Sequence, residues 1–559
     1  MRLLKCFLLF IFAVITQQTS AYDFESDGIC YSITSVPDRT VSVAGKNVDE
    51  GNIIIPSTVV YADLTFTVTA IGEQAFGDIM SYGSDEKLNK LKSVTFPPTL
   101  KTIGRSAFQG CGGLKSVTIP ASVELLDSMA FGNCQNIESI LIEDSDNELI
   151  LSWSAFTSAY CQTLYLGRGV INRSWTGKQY QYGDYIFSGM NSVTIGKKAK
   201  KYRFTGKTIK NVIFDDEIKE IPDLAFMNCS QLNNISLPQG VKRIGNNAFR
   251  GCESIESIVI PDGIEIIGDL AFAYCKALST CSIPDNTIIG EMLFSNCENL
   301  KSVKLPSELA SIPSATFQKC TNLETIVIPT NLSSIGNSAF ESCYSLQEIQ
   351  LPENVIIGEA AFYECHNLRK VNIPAGNTVI HKSTFWECWS LENISFPQGI
   401  ETIEENAFRQ AFKDSSSPNI ILPEGLVRID KNAFYESGIS SISFPSTLTI
   451  IGNAAFNNSY KLKEIHFANS ITTINENAFR DCSAIESIVS QIESPIAFND
   501  NVFYNMVYLK SKLSVPEHCK DIYAATDGWK NFIKLETHTG IKTVIKDNSN
   551  NKKKRVGSP

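Results

Sequence analysis

Cysteine and histidine are the residues of this 559-residue chain best suited to metal or redox chemistry, and it holds sixteen and five of them. Zinc sites built from cysteine need pairs spaced C-x-x-C, and no such pair occurs. His366, His381, His466, His518 and His538 are scattered, without an H-E-x-x-H helix to bring two imidazoles onto one metal. Four carboxylates at Glu143, Asp144, Asp146 and Glu148 are close enough in sequence for calcium. They lack the central glycine and spaced glutamate of an EF-hand, so they read as a solvated loop. Gly206-Lys207-Thr208 ends like a phosphate-binding loop, but position 201 is lysine where that loop requires glycine. No G-x-S-x-G elbow or G-x-G-x-x-G fingerprint is present. The expectation is a protein without enzymatic activity, cofactor or metal.

Most cysteines have a different logic. Eleven of them, Cys111, Cys134, Cys229, Cys252, Cys275, Cys297, Cys320, Cys343, Cys365, Cys388 and Cys482, stand three residues after a phenylalanine. Those phenylalanines form a ladder. Phe226, Phe249, Phe272, Phe294, Phe317, Phe340, Phe362, Phe385 and Phe408 follow one another at steps of 22 or 23 residues. Less regular copies run through Phe76, Phe108, Phe131, Phe156 and Phe187 upstream, and through Phe434, Phe456, Phe479 and Phe503 downstream, which makes about 18 turns. Within a unit, Ile326-Val327-Ile328 alternates and is β-branched, which predicts a short strand ended by Pro329. A second short strand holds Ile335, Gly336 permits a turn, and Asn337 to Phe340 is expected to form a helical or 3-10 turn that drops the phenylalanine inward. One such unit cannot bury its own apolar side chains, whereas a stack of them can, so the fold class is an α/β-repeat solenoid with short parallel strands. In that frame the rung cysteines are inward-facing free thiols. Cys30, Cys161, Cys281 and Cys519 stand outside the series, and the spacing assigns them no state.

The same frame marks two candidate surfaces. The residue after the ladder phenylalanine and the one after the rung cysteine are usually polar, as in Arg250 and Glu253, and should face water. Three consecutive repeats instead carry Tyr344, then Tyr363 and His366, then Trp386 and Trp389. Stacking would gather these five rings into one exposed patch, a candidate ligand-binding site. The second surface lies in an irregular insertion at 153–210. There Trp175, Tyr180, Tyr182 and Tyr185 precede a basic run of Lys197, Lys198, Lys200, Lys201 and Arg203. Such a run on an acidic protein could attract sulfated glycans or other polyanions.

The repeat pattern closely resembles the BspA-like, treponemal-type leucine-rich repeats, L-x-x-I-x-I-P-x-x-[VL]-x-x-I-G-x-x-A-F-x-x-C, from Ile71 to about Val515. The resemblance implies residues 22–70 as an N-terminal hairpin-like cap, 71–510 as repeats and 511–535 as a C-terminal cap built around Tyr523, Trp529 and Phe532. Residues 536–559, rich in Asn and Lys, read as a flexible polar tail. Arg2 and Lys5, the apolar run Cys6 to Ile15 and the small residues Thr19-Ser20-Ala21 read as an export signal cleaved after Ala21. No later segment reaches the about 20 apolar residues of a transmembrane helix. At 43% hydrophobic and 19% charged the chain is too apolar to be disordered, and a net charge of −10 argues against a nucleic-acid partner. The resemblance implies a secreted or cell-surface recognition or adhesion protein that binds host matrix or bacterial surface proteins. A glycan-binding module and a structural or self-associating surface protein are the alternatives.

Overall fold

Segments of the Ile326-Val327-Ile328 type form short strands with every second residue turned inward. Across Ser139–Ile142, Thr163–Arg168, Ser192–Lys198 and Asn211–Phe214, the inward column reads Ile140, Leu164, Val193 and Val212 in register. All four are buried. The computed structural model describes residues 22–46, 51–77, 90–152, 154–159, 161–173, 190–204, 206–415, 418 and 420–539. The export signal at 1–21 and the tail beyond 539 lie outside these residues, as do Trp175, Tyr180, Tyr182, Tyr185 and Phe187.

The chain divides into two units, Met1–Ser307 and Glu308–Pro559. The first opens with three antiparallel strands, Phe24–Ser26, Ile29–Ser35 and Thr40–Lys46. Thr40–Lys46 then pairs in parallel with Leu64–Ile71, and parallel stacking continues through Thr102–Ile103, Leu125–Leu126, Leu149–Ser152 and Val170–Arg173. A separate parallel sheet of six strands runs from Ser116–Ile119 to Asn234–Ile235. In the second unit, Val379–Ile380, Thr402–Ile403, Arg428–Ile429, Ile450–Ile451 and Thr473–Ile474 form one parallel sheet. Its last sheet runs from Ser441–Ser443 to Lys534–His538. Each unit is a stack of parallel β-solenoid turns, about 20 in all, with little helix.

Where a helical turn is expected after the second strand, the backbone makes consecutive tight turns instead. In one repeat, Ala339 N–H donates to the Gly336 carbonyl, Glu341 to Ser338 and Cys343 to Phe340. Ser338 and Ser342, third residues of the first and last of these turns, have φ of 55° and 57°. That is the left-handed conformation that type II turns require. The pattern recurs two residues before and two after most ladder phenylalanines, for example at Asn247 and Gly251, and at Asn477 and Asp481. The remaining N–H groups point along the stack: Ser338 donates to Glu359, Phe340 to Ala361 and Ser342 to Tyr363. Every other amide therefore closes a turn and the others join neighbouring turns, so the buried backbone leaves few orphans.

Gly336 is needed for a different reason from the one its sequence position suggests. Its φ is not positive; a Cβ there would meet Ser314 N at 2.5 Å and the Pro313 carbonyl carbon at 2.8 Å. The stacking distance, not the turn, excludes a side chain.

The phenylalanines fill the interior face to face. In the second unit, successive rings from Phe317 to Phe503 have centroids 5.1 to 5.6 Å apart and are nearly parallel. In the first unit, Phe204 is a rung that the spacing did not reveal. It stacks on Phe226 at 5.6 Å, and its N–H donates to the Ala225 carbonyl, the bond that most ladder phenylalanines make to the next turn. Each fully buried Phe contributes about 1.5–3 kcal/mol, and each stack about 0.5–1.5 kcal/mol more.

The fifteen cysteines from Cys30 to Cys519 are buried thiols outside any disulfide. The rung thiols donate to the carbonyl of the previous turn's phenylalanine: Cys252 to Phe226 at 3.2 Å, Cys343 to Phe317 at 3.2 Å, Cys388 to Phe362 at 3.2 Å. Ser459, which takes a rung position, makes the same bond to Phe434 at 2.9 Å.

Candidate functional site

Side chains leave the solenoid surface at the turn run, and its backbone ladder sets their spacing. Ser342, Glu364, Glu387, Gln410 and Glu436 each donate an N–H to the carbonyl of the outward residue on the next turn: Tyr363, Trp386, Arg409, Tyr435 and Asn457. These bonds, 2.7 to 2.9 Å long, hold equivalent side chains one layer apart. Rings at equivalent positions must therefore stack.

Tyr344, His366 and Trp389 form one column. The Tyr344 and His366 rings are 4.6 Å apart and 2° from parallel; His366 and Trp389 are 3.8 Å apart and 5° from parallel. Tyr363 and Trp386 begin a second column, with centroids 5.0 Å apart and tilted by 46°. The structure thus brings all five rings expected from the sequence onto one face of the second unit. Tyr344 is 38% exposed and the other four are half-buried.

Between the columns runs a row of polar groups at the left-handed position. Glu364 accepts from the Ser342 hydroxyl at 2.6 Å and from the Tyr344 hydroxyl at 3.4 Å. Burial pushes its carboxyl up, but the hydrogen bonds from Ser342 and Tyr363 and the nearby His366 outweigh this and hold it below the usual glutamate value. Burial drives the His366 imidazole the other way, below its ordinary 6.5, against the pull of Glu387 and Glu364. His366 Nε2 sits 3.7 Å from Glu387 Oε2, too far for a hydrogen bond, and Trp389 Nε1 is buried without a partner. The Tyr363 hydroxyl is raised well above 10, first by burial and then by Glu364.

The second column continues through Arg409 and Tyr435, which the run of five rings in the sequence does not include. The Arg409 guanidinium lies 4.8 Å from the Trp386 ring and 4.6 Å from the Tyr435 ring. Beside it, Gln410 donates to Glu436 at 2.7 Å, and Lys413 meets the same carboxylate at 3.3 Å. The signal was present in the frame, since Arg409 and Tyr435 each follow a ladder phenylalanine as Tyr363 and Trp386 do.

The basic run is placed in the first unit. Lys197 and Lys198 end the strand Ser192–Lys198, and Lys200 and Lys201 follow it. Lys198 pairs with Asp146 at 3.0 Å, Lys201 with Glu148 at 2.7 Å and Lys197 with Glu217 at 3.1 Å. The acidic cluster at 143–148 and the basic run, read separately in sequence, thus face each other. Lys200 is exposed and has no carboxylate partner among the described residues. The ring-bearing part of this insertion, Trp175, Tyr180 and Tyr182, lies outside the described residues.

The sequence profile of the BspA type leucine rich repeat region matches residues 57–173, 197–323, 287–411 and 409–526, in six copies. The chain belongs to the BspA-type leucine-rich repeat family. Solved structures similar to this BspA-type chain include a leucine-rich repeat protein from Bacteroides ovatus, at 24% identity over 84% of this chain and 94% of that one, with a TM-score of 0.37. A leucine rich cell surface protein from Faecalibacterium prausnitzii matches at 20% identity, over 84% and 94% of the two chains, with a TM-score of 0.27. The leucine rich repeat protein of T. pallidum matches at 16% identity over 58% of this chain and 90% of its own, with a TM-score of 0.20. No curated protein matches the sequence. BspA-type repeat proteins are typically surface-exposed interaction scaffolds. Among the described residues of this one, no helix is long and apolar enough to cross a membrane.

Proposed function

We propose that this BspA-type chain is an exported recognition protein of the secreted or cell-surface kind, and that it captures a protein ligand on the Tyr344, Tyr363, His366, Trp386 and Trp389 face. The observation that carries this reading is the paired columns. Five rings held in register by a backbone ladder form a rigid surface of large, amphipathic side chains, which lose little entropy when a partner lands on them. Fewer than five such residues dominate many protein interfaces.

The arrangement favours a protein over a neutral glycan. A sugar stacks on an open ring face, but His366 and Trp389 cover one another at 3.8 Å, and Trp386 lies between Tyr363 and Arg409. These rings offer edges, indole and phenol groups to a partner, and the row between them offers carboxylates.

The test is capture of matrix and mucosal proteins by the purified mature chain, compared with Trp386→Ala/Trp389→Ala. The expected result is at least a tenfold loss of retained ligand in the double variant, with its urea unfolding midpoint unchanged. Equal capture by a folded double variant would remove this face as the binding site, and binding on a carbohydrate array in its place would favour the glycan alternative.

A further inference from the structure

The side chains around the two columns also bear on what kind of partner this face takes, and that question rests on the reading of the face as a recognition surface. We propose that the Tyr344 to Trp389 face selects a cationic protein segment, seating an arginine or lysine side chain against the open face of Tyr363 and neutralising it with Glu341, Glu364 and Glu387.

The molecule already contains one filled version of this slot. Arg409 occupies a layer of the second column, its guanidinium between the rings of Trp386 and Tyr435. The layer spacing of the turns is therefore one that a guanidinium fits. Two layers earlier in the same column stands Tyr363, one side of which faces Trp386, and the layer before it holds Glu341. Among the described residues, no second ring and no cation covers the remaining face of Tyr363. A ligand cation there would repeat the Arg409 contact from outside, with a carboxylate where Arg409 has a tyrosine.

Charge points the same way. In the row between the columns, Glu436 is met by Lys413, Gln410 and Asn458. Glu364, three layers before it, is met by the neutral hydroxyls of Ser342 and Tyr344. Glu387 has His366 at 3.7 Å, an imidazole whose charged form burial disfavours. No lysine or arginine lies within ion-pair distance of Glu341, Glu364 or Glu387 among the described residues. A cation desolvated against a ring and bonded to a carboxylate is held more strongly than by either alone, whereas an anionic glycan would be repelled.

The test uses fluorescence anisotropy of a labelled peptide alternating arginine with serine, its lysine counterpart and a glutamate counterpart, titrated with the full mature chain. The expected result is binding of the two cationic peptides, arginine the tighter, weakening as salt rises, and none of the glutamate peptide. Glu341→Gln/Glu364→Gln/Glu387→Gln should weaken the arginine peptide at least tenfold. Glu401→Gln/Glu405→Gln/Glu424→Gln, which removes the same charge elsewhere on the unit, should change it less than twofold. Should the first triple variant fail to fold, Tyr363→Leu, which keeps every charge, should still weaken binding at least threefold. Equal loss in the two triple variants, or unchanged binding in Tyr363→Leu, overturns the proposal. If matrix-protein capture depends on Trp386 and Trp389 while no cationic peptide binds, the selectivity for cations falls and the recognition face stands.

Discussion

A rung cysteine in this solenoid is a hydrogen-bond donor as much as a small apolar filler. Cys343 sits fully buried with its thiol 3.2 Å from the Phe317 carbonyl, which also accepts the Cys320 N–H. Ser459 shows that a hydroxyl satisfies the same acceptor. Cys343→Ser should therefore cost less than about 1 kcal/mol in urea unfolding. Cys343→Ala, which opens a small cavity and removes one of the two hydrogen bonds to that carbonyl, should cost about 1–3 kcal/mol. Equal costs would mean that packing alone selects cysteine. Burial also pushes the rung thiols up, to about 12 at Cys111 and Cys482 from an ordinary 9.0. A raised folded pKa leaves stability intact below pH 9 and removes it as pH climbs from 9 toward about 12, by about 1.4 kcal/mol per thiol per pH unit. Urea midpoints should thus hold steady from pH 7 to 8.5 and fall steeply by pH 10, while an iodoacetamide assay at pH 8 labels thiols only after denaturation. That the cysteines share one buried position was readable from their spacing. What they bond to was not, because the acceptor belongs to the preceding turn and exists only once the turns stack.

At the scale of the element, the strands were legible because alternation and proline placement are local. The turn run was not. Its left-handed residues are of every type, from Ser342 and Glu364 to Leu270 and Ala454, so no glycine or asparagine pattern announces them. Two substitutions of small residues in adjacent repeats should act in opposite directions. Gly336→Ala drives a methyl into the Pro313 and Ser314 backbone and should destabilise by about 1–3 kcal/mol. Ala360→Gly relieves an alanine held at φ 52° and should be neutral or stabilise by up to about 1 kcal/mol. Thermal or urea melts of the two variants decide the signs. The basic strand end makes a further prediction. Its exposed ion pairs each contribute under about 1 kcal/mol, so Asp146→Asn/Glu148→Gln should leave stability nearly unchanged. The same change frees Lys198 and Lys201, and retention on heparin should rise. A fall in retention would mean that the lysines are not what the matrix reads.

For the whole molecule, chain length records how many turns are stacked, since nearest-neighbour packing has no spherical core to outgrow. The turn count was nearly readable from the phenylalanines and fell short where Phe204 keeps the rung without the rest of the motif. The aromatic face was legible for a related reason: repeats make equivalent positions visible, and Tyr344, His366 and Trp389 break the polar rule at one such position. Its extension through Glu364, Arg409 and Tyr435 was hidden because charged residues at those positions look like ordinary solvated surface. The central claim is that ligand lands on these columns. Hydroxyl-radical footprinting of the mature chain, with and without the protein recovered by capture, tests it most directly. The account predicts that oxidation of Tyr344, Tyr363, Trp386 and Trp389 falls at least threefold in the complex while exposed Tyr504 is unchanged. Protection elsewhere, with these four rings oxidised as in the free chain, would contradict it.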